Sequence, residues 1–267
     1  GAFALDANTT AGDNTAVGYI SLSQNTTGAS NTALGHQVMF ANTTGSFNTA
    51  VGRLALDANT TAGNNTAVGY GALTENTTGA NNTSVGHNSS DAITTGNGNT
   101  ALGQGALSAA TTQDSNTAVG HNALGSASGA NNVAYGSNAL QNCTTNNLTA
   151  IGYYALHQNT SGTENVAVGY QALDANTTGN RLTAVGQGAL GQNTTANDNT
   201  AFGYLALTAT TTGHSNTAVG RGALDANTTA SNNTAVGGAA LTENTTGSEN
   251  CAVGEDCLKA NTTGYQN

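Results

Sequence analysis

Apolar and small residues recur along the whole chain at a fixed spacing. Glycine marks the repeat at sixteen places, and thirteen of the fifteen intervals between these glycines are 17 residues, while two are 16. The consensus unit is N-T-A-V-G-Y-G-A-L-T-A-N-T-T-G-x-N. A constant period of this kind indicates a repeat protein in which successive units stack on one another. The repeat glycines are Gly1, Gly18, Gly35, Gly52, Gly69, Gly86, Gly103, Gly120, Gly136, Gly152, Gly169, Gly186, Gly203, Gly220, Gly237 and Gly254.

The residue before each repeat glycine is apolar, and we call this position the valine column. Two places earlier stands the threonine column, where the exceptions Val133, Val166 and Cys251 are apolar and of similar size. The residue between the two columns is Ala in fourteen of fifteen copies, with Ser84 as the exception, and forms the first alanine column. Because side chains alternate along a strand, this pattern predicts that threonine and valine face inward and alanine faces outward.

A second apolar position, the leucine column, follows four residues after the repeat glycine. It contains Met39 and Ser90 as exceptions, and a second alanine column precedes it. These positions predict two short strands per unit, N-T-A-V and G-A-L, joined at a glycine that adopts positive φ. The N-T-T-G segment is expected to be the turn that closes the coil. Both shortened intervals lose their residue there, as in residues 125–129, and turns tolerate deletion best.

The predicted fold class is therefore all-β: a parallel β-solenoid, either a β-roll or a β-helix, of about sixteen 17-residue coils. Coils stacked at ~4.8 Å would bury the apolar columns and pair each backbone edge. Helical repeats need about 20 to 34 or more residues. We expect residues 1–267 to form a single repeat domain and to be a fragment of a longer fibre protein.

The near-invariance of the first alanine column, if it faces outward, indicates close approach by another surface. We expect identical chains to pack side by side, with a homotrimer as the leading assembly. The alternative is that alanine merely suits a tight coil.

Composition excludes several classes of partner. Only 7% of residues are charged, the formal net charge is −10, and Lys and Arg total four, so the chain has no basic surface for nucleic acid. No apolar run approaches the ~18 residues of a membrane span, so we expect no membrane insertion in this segment. Cys251 and Cys257 fall in one coil, where they either pack as small apolar residues or form a local disulfide.

No pattern indicates catalysis. The acidic residues are scattered through turns, as with Asp57, Asp174 and Asp225 directly after the leucine column. Acid–base catalysis needs paired groups in a pocket, and the chain is not expected to be an enzyme. The histidines after the repeat glycine lie in coils too far apart to share one metal. We therefore expect no catalytic residue, no cofactor and no metal site.

The position after the repeat glycine is the most varied, and we call it the mixed column. A row of Tyr, His and Arg could bind a glycan or a host-surface protein by stacking and hydrogen bonding. The alternatives are a solvated ladder or packing between subunits. The candidate recognition residues are Tyr19, His36, Arg53, Tyr70, His87, His121, Tyr153, Tyr170, Tyr204 and Arg221.

The asparagine that opens the N-T-T turn recurs in most units. Asparagines stacked on one another can form amide ladders, and asparagine suits tight turns. The same residues are formal N-x-T acceptors for glycosylation. We call this position the second asparagine column, to distinguish it from the asparagine that opens each N-T-A-V segment. It includes Asn8, Asn25, Asn42, Asn59, Asn76, Asn176, Asn193, Asn227, Asn244 and Asn261.

The N-T-A-V-G segments at 65–69, 116–120 and 216–220 resemble the head repeats of trimeric autotransporter adhesins. The full repeat is also similar to repeats of tail-fibre-like bacterial and phage proteins. The resemblance covers essentially the whole chain, but the repeat is longer than in adhesin heads and has Thr where they often have Val. It implies a left-handed parallel β-roll in a trimeric fibre outside the cell or on a virion.

The function predicted first is a structural and adhesive module of an extracellular fibre, either an adhesin head or a tail-fibre shaft, without catalysis. One alternative is a self-assembling surface filament or matrix protein. The other is an ice-binding β-solenoid. The regular threonines of this sequence fit an ice-binding surface, but the predicted burial of the threonine column argues against this function.

Overall fold

The computed structural model describes residues 1–126 and 129–267, and the chain divides into two compact units, 1–132 and 133–267. Ala127 and Ser128, in the first shortened turn, lie outside the described residues. Within the described ranges both units consist of strands and turns and contain no helix, so the predicted all-β class is confirmed. The first unit contains β1 (Thr15–Val17), β2 (Thr32–Leu34), β3 (Thr49–Val51), β4 (Thr66–Val68), β5 (Thr83–Val85), β6 (Thr100–Leu102) and β7 (Thr117–Val119).

The second unit repeats the same architecture with eight strands. They are β8 (Val133–Tyr135), β9 (Thr149–Ile151), β10 (Val166–Val168), β11 (Thr183–Val185), β12 (Thr200–Phe202), β13 (Thr217–Val219), β14 (Thr234–Val236) and β15 (Cys251–Val253). Within the described residues there are fifteen strands, one before each repeat glycine from Gly18 to Gly254.

Within each unit, consecutive strands pair in parallel and in register. Thr49 pairs with Thr66, and Ala50 and Val51 pair with the equivalent residues of β4. Every residue of a strand therefore lies beside its counterpart in the next coil. The parallel β-solenoid predicted from the 17-residue period is confirmed in both units.

The orientation of the strands is the reverse of the prediction. Ala50, Ala67 and the other members of the first alanine column between β2 and β15 are fully buried, apart from Ser84, which is buried as well. Threonine and valine on either side are exposed or half-buried in every strand. The prediction that the valine column lies in the core was wrong. The coil is too thin for a large residue at this position, and alanine is what fits inside.

The prediction of a second strand, G-A-L, was also wrong, because this segment is a run of turns. Leu56 and Leu73 have φ of 52° and 53°, and the leucine column keeps this left-handed conformation throughout the chain. Left-handed φ costs a non-glycine residue roughly 1–2 kcal/mol. The segment still bonds to the next coil, since Leu56 N donates to Ala72 O at 3.0 Å and Ala58 N donates to Thr74 O at 3.0 Å. The leucine side chains point inward, as predicted, and most are fully buried.

The repeat glycine joins the two halves of each coil, and its predicted positive φ is confirmed. Gly52 has a φ of 131°, and a side chain there would collide with the carbonyl group of Gly69 in the next coil. Only glycine satisfies both the backbone conformation and the close approach between coils.

Two asparagine columns complete the interior. Asn42 Nδ2 donates to Asn25 Oδ1 at 2.8 Å, and Asn59 Nδ2 donates to Asn42 Oδ1 at 2.7 Å. The same Asn42 amide closes its own turn by donating to Gly45 O at 3.0 Å. The first asparagine column, at the start of each strand, forms a similar ladder, in which Asn65 N donates to Asn48 Oδ1 at 3.0 Å. These ladders satisfy most of the side-chain polar groups that burial would otherwise leave unpaired, Asn76 Oδ1 and Asn193 Oδ1 being exceptions, and they confirm the predicted amide ladders.

Candidate interaction surfaces

The outward residues of the strands form one continuous surface in each unit, which we call the T-A-V face. It consists of the threonine and valine columns, with strands spaced by ~4.8 Å. Large apolar side chains are well exposed on it: Leu34 is 47% exposed, Tyr135 59% and Phe202 55%. Neither column contains a charged residue at any of its positions. An ordered, uncharged surface with exposed apolar side chains is typical of an interaction site.

One signal in the sequence indicates this orientation. The valine column tolerates Tyr135 and Phe202, whereas the first alanine column never holds a side chain larger than serine. Inside a thin coil, a change from Val to Tyr would overpack the core. The column that varies in size therefore faces outward.

This orientation also removes the basis on which a homotrimer was predicted. The first alanine column is inside the coil and cannot contact another chain, so the alternative that alanine suits a tight coil accounts for it. Any packing of identical chains through the sheet must use threonine and valine instead.

The mixed column places its residues on the surface, stacked from coil to coil. The ring centroids of Tyr19 and His36 are 5.5 Å apart, and those of Tyr70 and His87 are 5.3 Å apart, both pairs in stacked geometry. The Arg53 guanidinium lies 5.7 Å from the Tyr70 ring centroid. In the second unit, Tyr153 stacks on Tyr170 at 5.5 Å. His121 in the first unit and Tyr204 and Arg221 in the second are exposed in the same column of their own coils.

Aspartates that follow the leucine column are half-buried beside the mixed column. Burial raises the pKa of Asp57, Asp91, Asp174 and Asp225 above the ordinary value of 3.8. Oδ1 of Asp57, Asp91 and Asp174 is shielded from solvent without a hydrogen-bond partner. In other coils this position holds Thr, and Thr242 Oγ1 donates to Gly222 O at 2.8 Å. A protonated aspartate could donate in the same way, which an ionised one cannot.

The asparagines considered as glycosylation positions are not accessible to a sugar in the folded chain. Their side chains lie inside the coil, and each amide nitrogen donates at least one hydrogen bond there, so a sugar on Nδ2 is incompatible with their place in the folded coil. Fully buried members are Asn25, Asn42, Asn59, Asn76, Asn176, Asn193, Asn227 and Asn244, while Asn8 and Asn261 are half-buried and donate to Ala11 O and Gly264 O.

The cysteines are free thiols. Cys143 is buried, its Sγ lies 3.2 Å from Thr145 O, and burial raises its pKa. Cys251 is exposed on the T-A-V face and Cys257 is half-buried, so no local disulfide links them. Within residues 1–126 and 129–267, no three His, Cys, Asp or Glu side chains come together in a way that could hold a metal ion.

Comparison with known proteins returns no match: no family model, curated protein or solved structure is similar to this chain. Among the described residues there is no helix with the length and hydropathy of a membrane span. The surfaces themselves are therefore the basis for a functional assignment.

Proposed function

We propose that the chain is a structural module of an extracellular fibre, in which identical chains pack side by side through their T-A-V faces. The observation that carries this proposal is the exposure of an uncharged threonine and valine array on both units. The resemblance to adhesin heads and tail-fibre repeats makes a homotrimer the expected assembly and a cell surface or virion the expected location.

A second copy of the chain suits the T-A-V face better than an unrelated partner does. The chain as a whole carries a formal charge of −10, which opposes association of identical molecules. The T-A-V face has no charged residue, so two copies can approach there without direct repulsion between facing side chains. A second copy also repeats its side chains at the same ~4.8 Å spacing, so contacts made in one coil recur in the next.

The experiment compares the oligomeric state of two charge variants by sedimentation equilibrium. Val51→Lys with Val85→Lys places two lysines on the T-A-V face, two coils apart. Thr44→Lys with Thr78→Lys adds the same charge at exposed turn positions in the matching coils. We expect the wild type and the Thr variant to be oligomers of the same size and the Val variant to be monomeric. A monomeric wild type, or an unchanged oligomer in the Val variant, would contradict the proposal.

The alternative of a surface filament predicts a different product from the same chain. In that case, particle length in electron micrographs increases with protein concentration, whereas discrete fibres keep one length. End-to-end growth would use the terminal coils and would survive lysines on the T-A-V face.

Ice binding is the second candidate function, and the structure removes the objection to it. The threonine column of the first unit is exposed or half-exposed in all seven strands, and its members pair in register, as Thr32 does with Thr49. A regular row of hydroxyl and methyl groups is suited to ordering water. A freezing-point hysteresis that disappears in Thr49→Lys with Thr83→Lys would establish this function. No hysteresis in the wild type at millimolar concentration would exclude it.

A further inference from the structure

Three surface hollows occupy equivalent places in the coils, away from the T-A-V face. Each lies between the column two residues after the repeat glycine and the residues that follow the leucine column. A glycine two residues after the repeat glycine lines each hollow: Gly71, Gly188 or Gly222. An aspartate lines each hollow as well: Asp91, Asp174 and Asp225, in the same order. The volumes are about 350, 220 and 280 Å³.

The glycine is what opens the space. A side chain at Gly71 would meet Asn88 Oδ1 and Thr74 Oγ1, so the site is bordered by hydrogen-bonding oxygens at short range. In the other coils, apart from the one with Gly105, this position holds a larger residue such as Tyr154 or Gln37. The hollow around Gly71 reaches the lower end of the roughly 300–1,000 Å³ range of ligand sites.

The hollows at Gly71 and Gly222 differ in the charge of their side chains, and this difference limits the charge of a ligand that both could bind. The hollow at Gly71 contains Asp91 and Glu75, which disfavour an anion. The hollow at Gly222 contains Arg221 and Lys259 beside Asp225, so cationic side chains outnumber the carboxyl and disfavour a cation. A ligand accepted by both is therefore neutral.

Both hollows also combine apolar and hydrogen-bonding walls. Half-buried Leu54 lines the first and half-buried Leu205 the second, each with a tyrosine of the mixed column, Tyr70 or Tyr204. Arg53 and His87 lie over the ring of Tyr70, so its edge and hydroxyl are what remain for a ligand. Carboxylate and hydroxyl groups supply acceptors and donors in the same space. A ligand with C–H faces and many hydroxyl groups matches these walls.

We propose that the hollows at Gly71, Gly188 and Gly222 are binding sites for neutral oligosaccharides. The carboxylates accept hydrogen bonds from sugar hydroxyls, and a leucine in each hollow contacts the C–H faces of the rings, joined by the edge of Tyr70 at Gly71 and of Tyr204 at Gly222. The hollows are shallow and repeated, so each binds weakly, and a polymeric glycan gains affinity by occupying more than one. This proposal goes beyond the structural function and does not depend on assembly through the T-A-V face.

The test follows backbone amide signals of the full-length chain by two-dimensional NMR. The probes are neutral hexasaccharides of glucose, mannose, galactose and N-acetylglucosamine, with hexalysine and hexagalacturonate as charged comparisons. We expect at least one neutral hexamer to shift the amides of Gly71, Gly188 and Gly222, with affinity in the roughly millimolar range.

Variants locate the binding. Ala92→Arg fills the hollow at Gly71, so the shift at Gly71 should vanish while the shift at Gly222 remains. Asp91→Ala should weaken binding at Gly71 about fivefold, the loss of one hydrogen bond. Asp57→Ala is the matched control, because Asp57 occupies the same column, is half-buried to a similar degree and lines none of the three hollows.

Two results would overturn the proposal. Shifts caused only by hexalysine or hexagalacturonate would mean that charge, and not sugar chemistry, determines binding. No shift at any of the three glycines with any neutral hexamer would mean that the hollows are not glycan sites. Because association through the T-A-V face is measured separately, the two proposals can fail independently.

Discussion

The two halves of each coil bury their residues in different ways. In the strand half, the buried side chain is alanine, and the larger valine and threonine face outward. In the turn half, alanine and leucine both point inward from a backbone that takes left-handed φ at each leucine. Leucine from one half therefore fills the space that alanine leaves in the other. The comparison shows that in a thin coil the size of a residue does not indicate which way it faces, because only one wall can supply large side chains.

Placing a charged residue at a single strand position should have the largest effect on the free energy of unfolding. Ala118→Asp places a charge inside the coil and should lower the free energy of unfolding by about 3–5 kcal/mol. Val119→Asp places the same charge on the T-A-V face and should cost about 1 kcal/mol. Urea unfolding followed by circular dichroism measures both. An equal loss in the two variants would mean that the two faces of the strand are not distinct.

Removing one rung of the amide ladder should have an intermediate effect. Asn42→Ala deletes the hydrogen bonds to Asn25 and Gly45 and removes one of the two acceptors of the Asn59 amide. We expect a loss of about 2 kcal/mol in the free energy of unfolding.

The control for the ladder is Thr44→Ala, two residues further along the same turn and exposed. It should change stability by no more than about 0.5 kcal/mol. A similar loss in both variants would assign the effect to the turn and not to the ladder.

The smallest expected effect is the contribution of the half-buried aspartates to the pH dependence of the melting temperature. Burial raises the pKa of Asp91 in the folded chain above its ordinary 3.8, so folding favours the protonated form. The melting temperature should therefore rise as the pH falls from neutrality through the folded pKa, with no further gain below about 4. Asp91→Asn should raise the melting temperature at pH 7 and reduce this pH dependence.

Asp198 provides a comparison, because its pKa is shifted in the opposite direction from that of Asp91. Its carboxylate forms two bonds with Arg181, at 2.6 and 2.8 Å, which lower its pKa. Asp198→Asn should remove stability that is present at neutral pH and lost on acidification. A lower melting temperature of Asp91→Asn at pH 7, in the same direction as Asp198→Asn, would mean that the proposed role of burial at Asp91 is wrong.

The sequence alone was sufficient to predict the coil, its length, the parallel stacking and the asparagine ladders. All of these depend on the period and on residues such as Gly52 and Asn42 that have the same role in each coil where they occur. The direction in which the strand faces could not be obtained from alternation alone. A period of two separates Thr and Val from Ala but does not say which set is inside. Tyr135 and Phe202 in the valine column carry that information.

The surface hollows were not predictable for a different reason. Gly71, Gly188 and Gly222 belong to a column that also holds Gln, Asn, Leu and Tyr, and a single glycine there has no distinctive pattern. Its effect depends on what the neighbouring coils place beside it, such as Asp91 and Asn88. The G-A-L segment was mistaken for a strand because left-handed leucine is disfavoured and no local propensity indicates it.

The orientation of the strands is the central claim, and thiol labelling tests it most directly. Cysteine is introduced at Ala118 or at Val119 in a chain with Cys143, Cys251 and Cys257 replaced by Ala. The chain also carries Val51→Lys and Val85→Lys, so that no second copy covers the T-A-V face. We expect rapid labelling at 119 under native conditions and labelling at 118 only after unfolding. Rapid labelling at 118 with protection at 119 would contradict it.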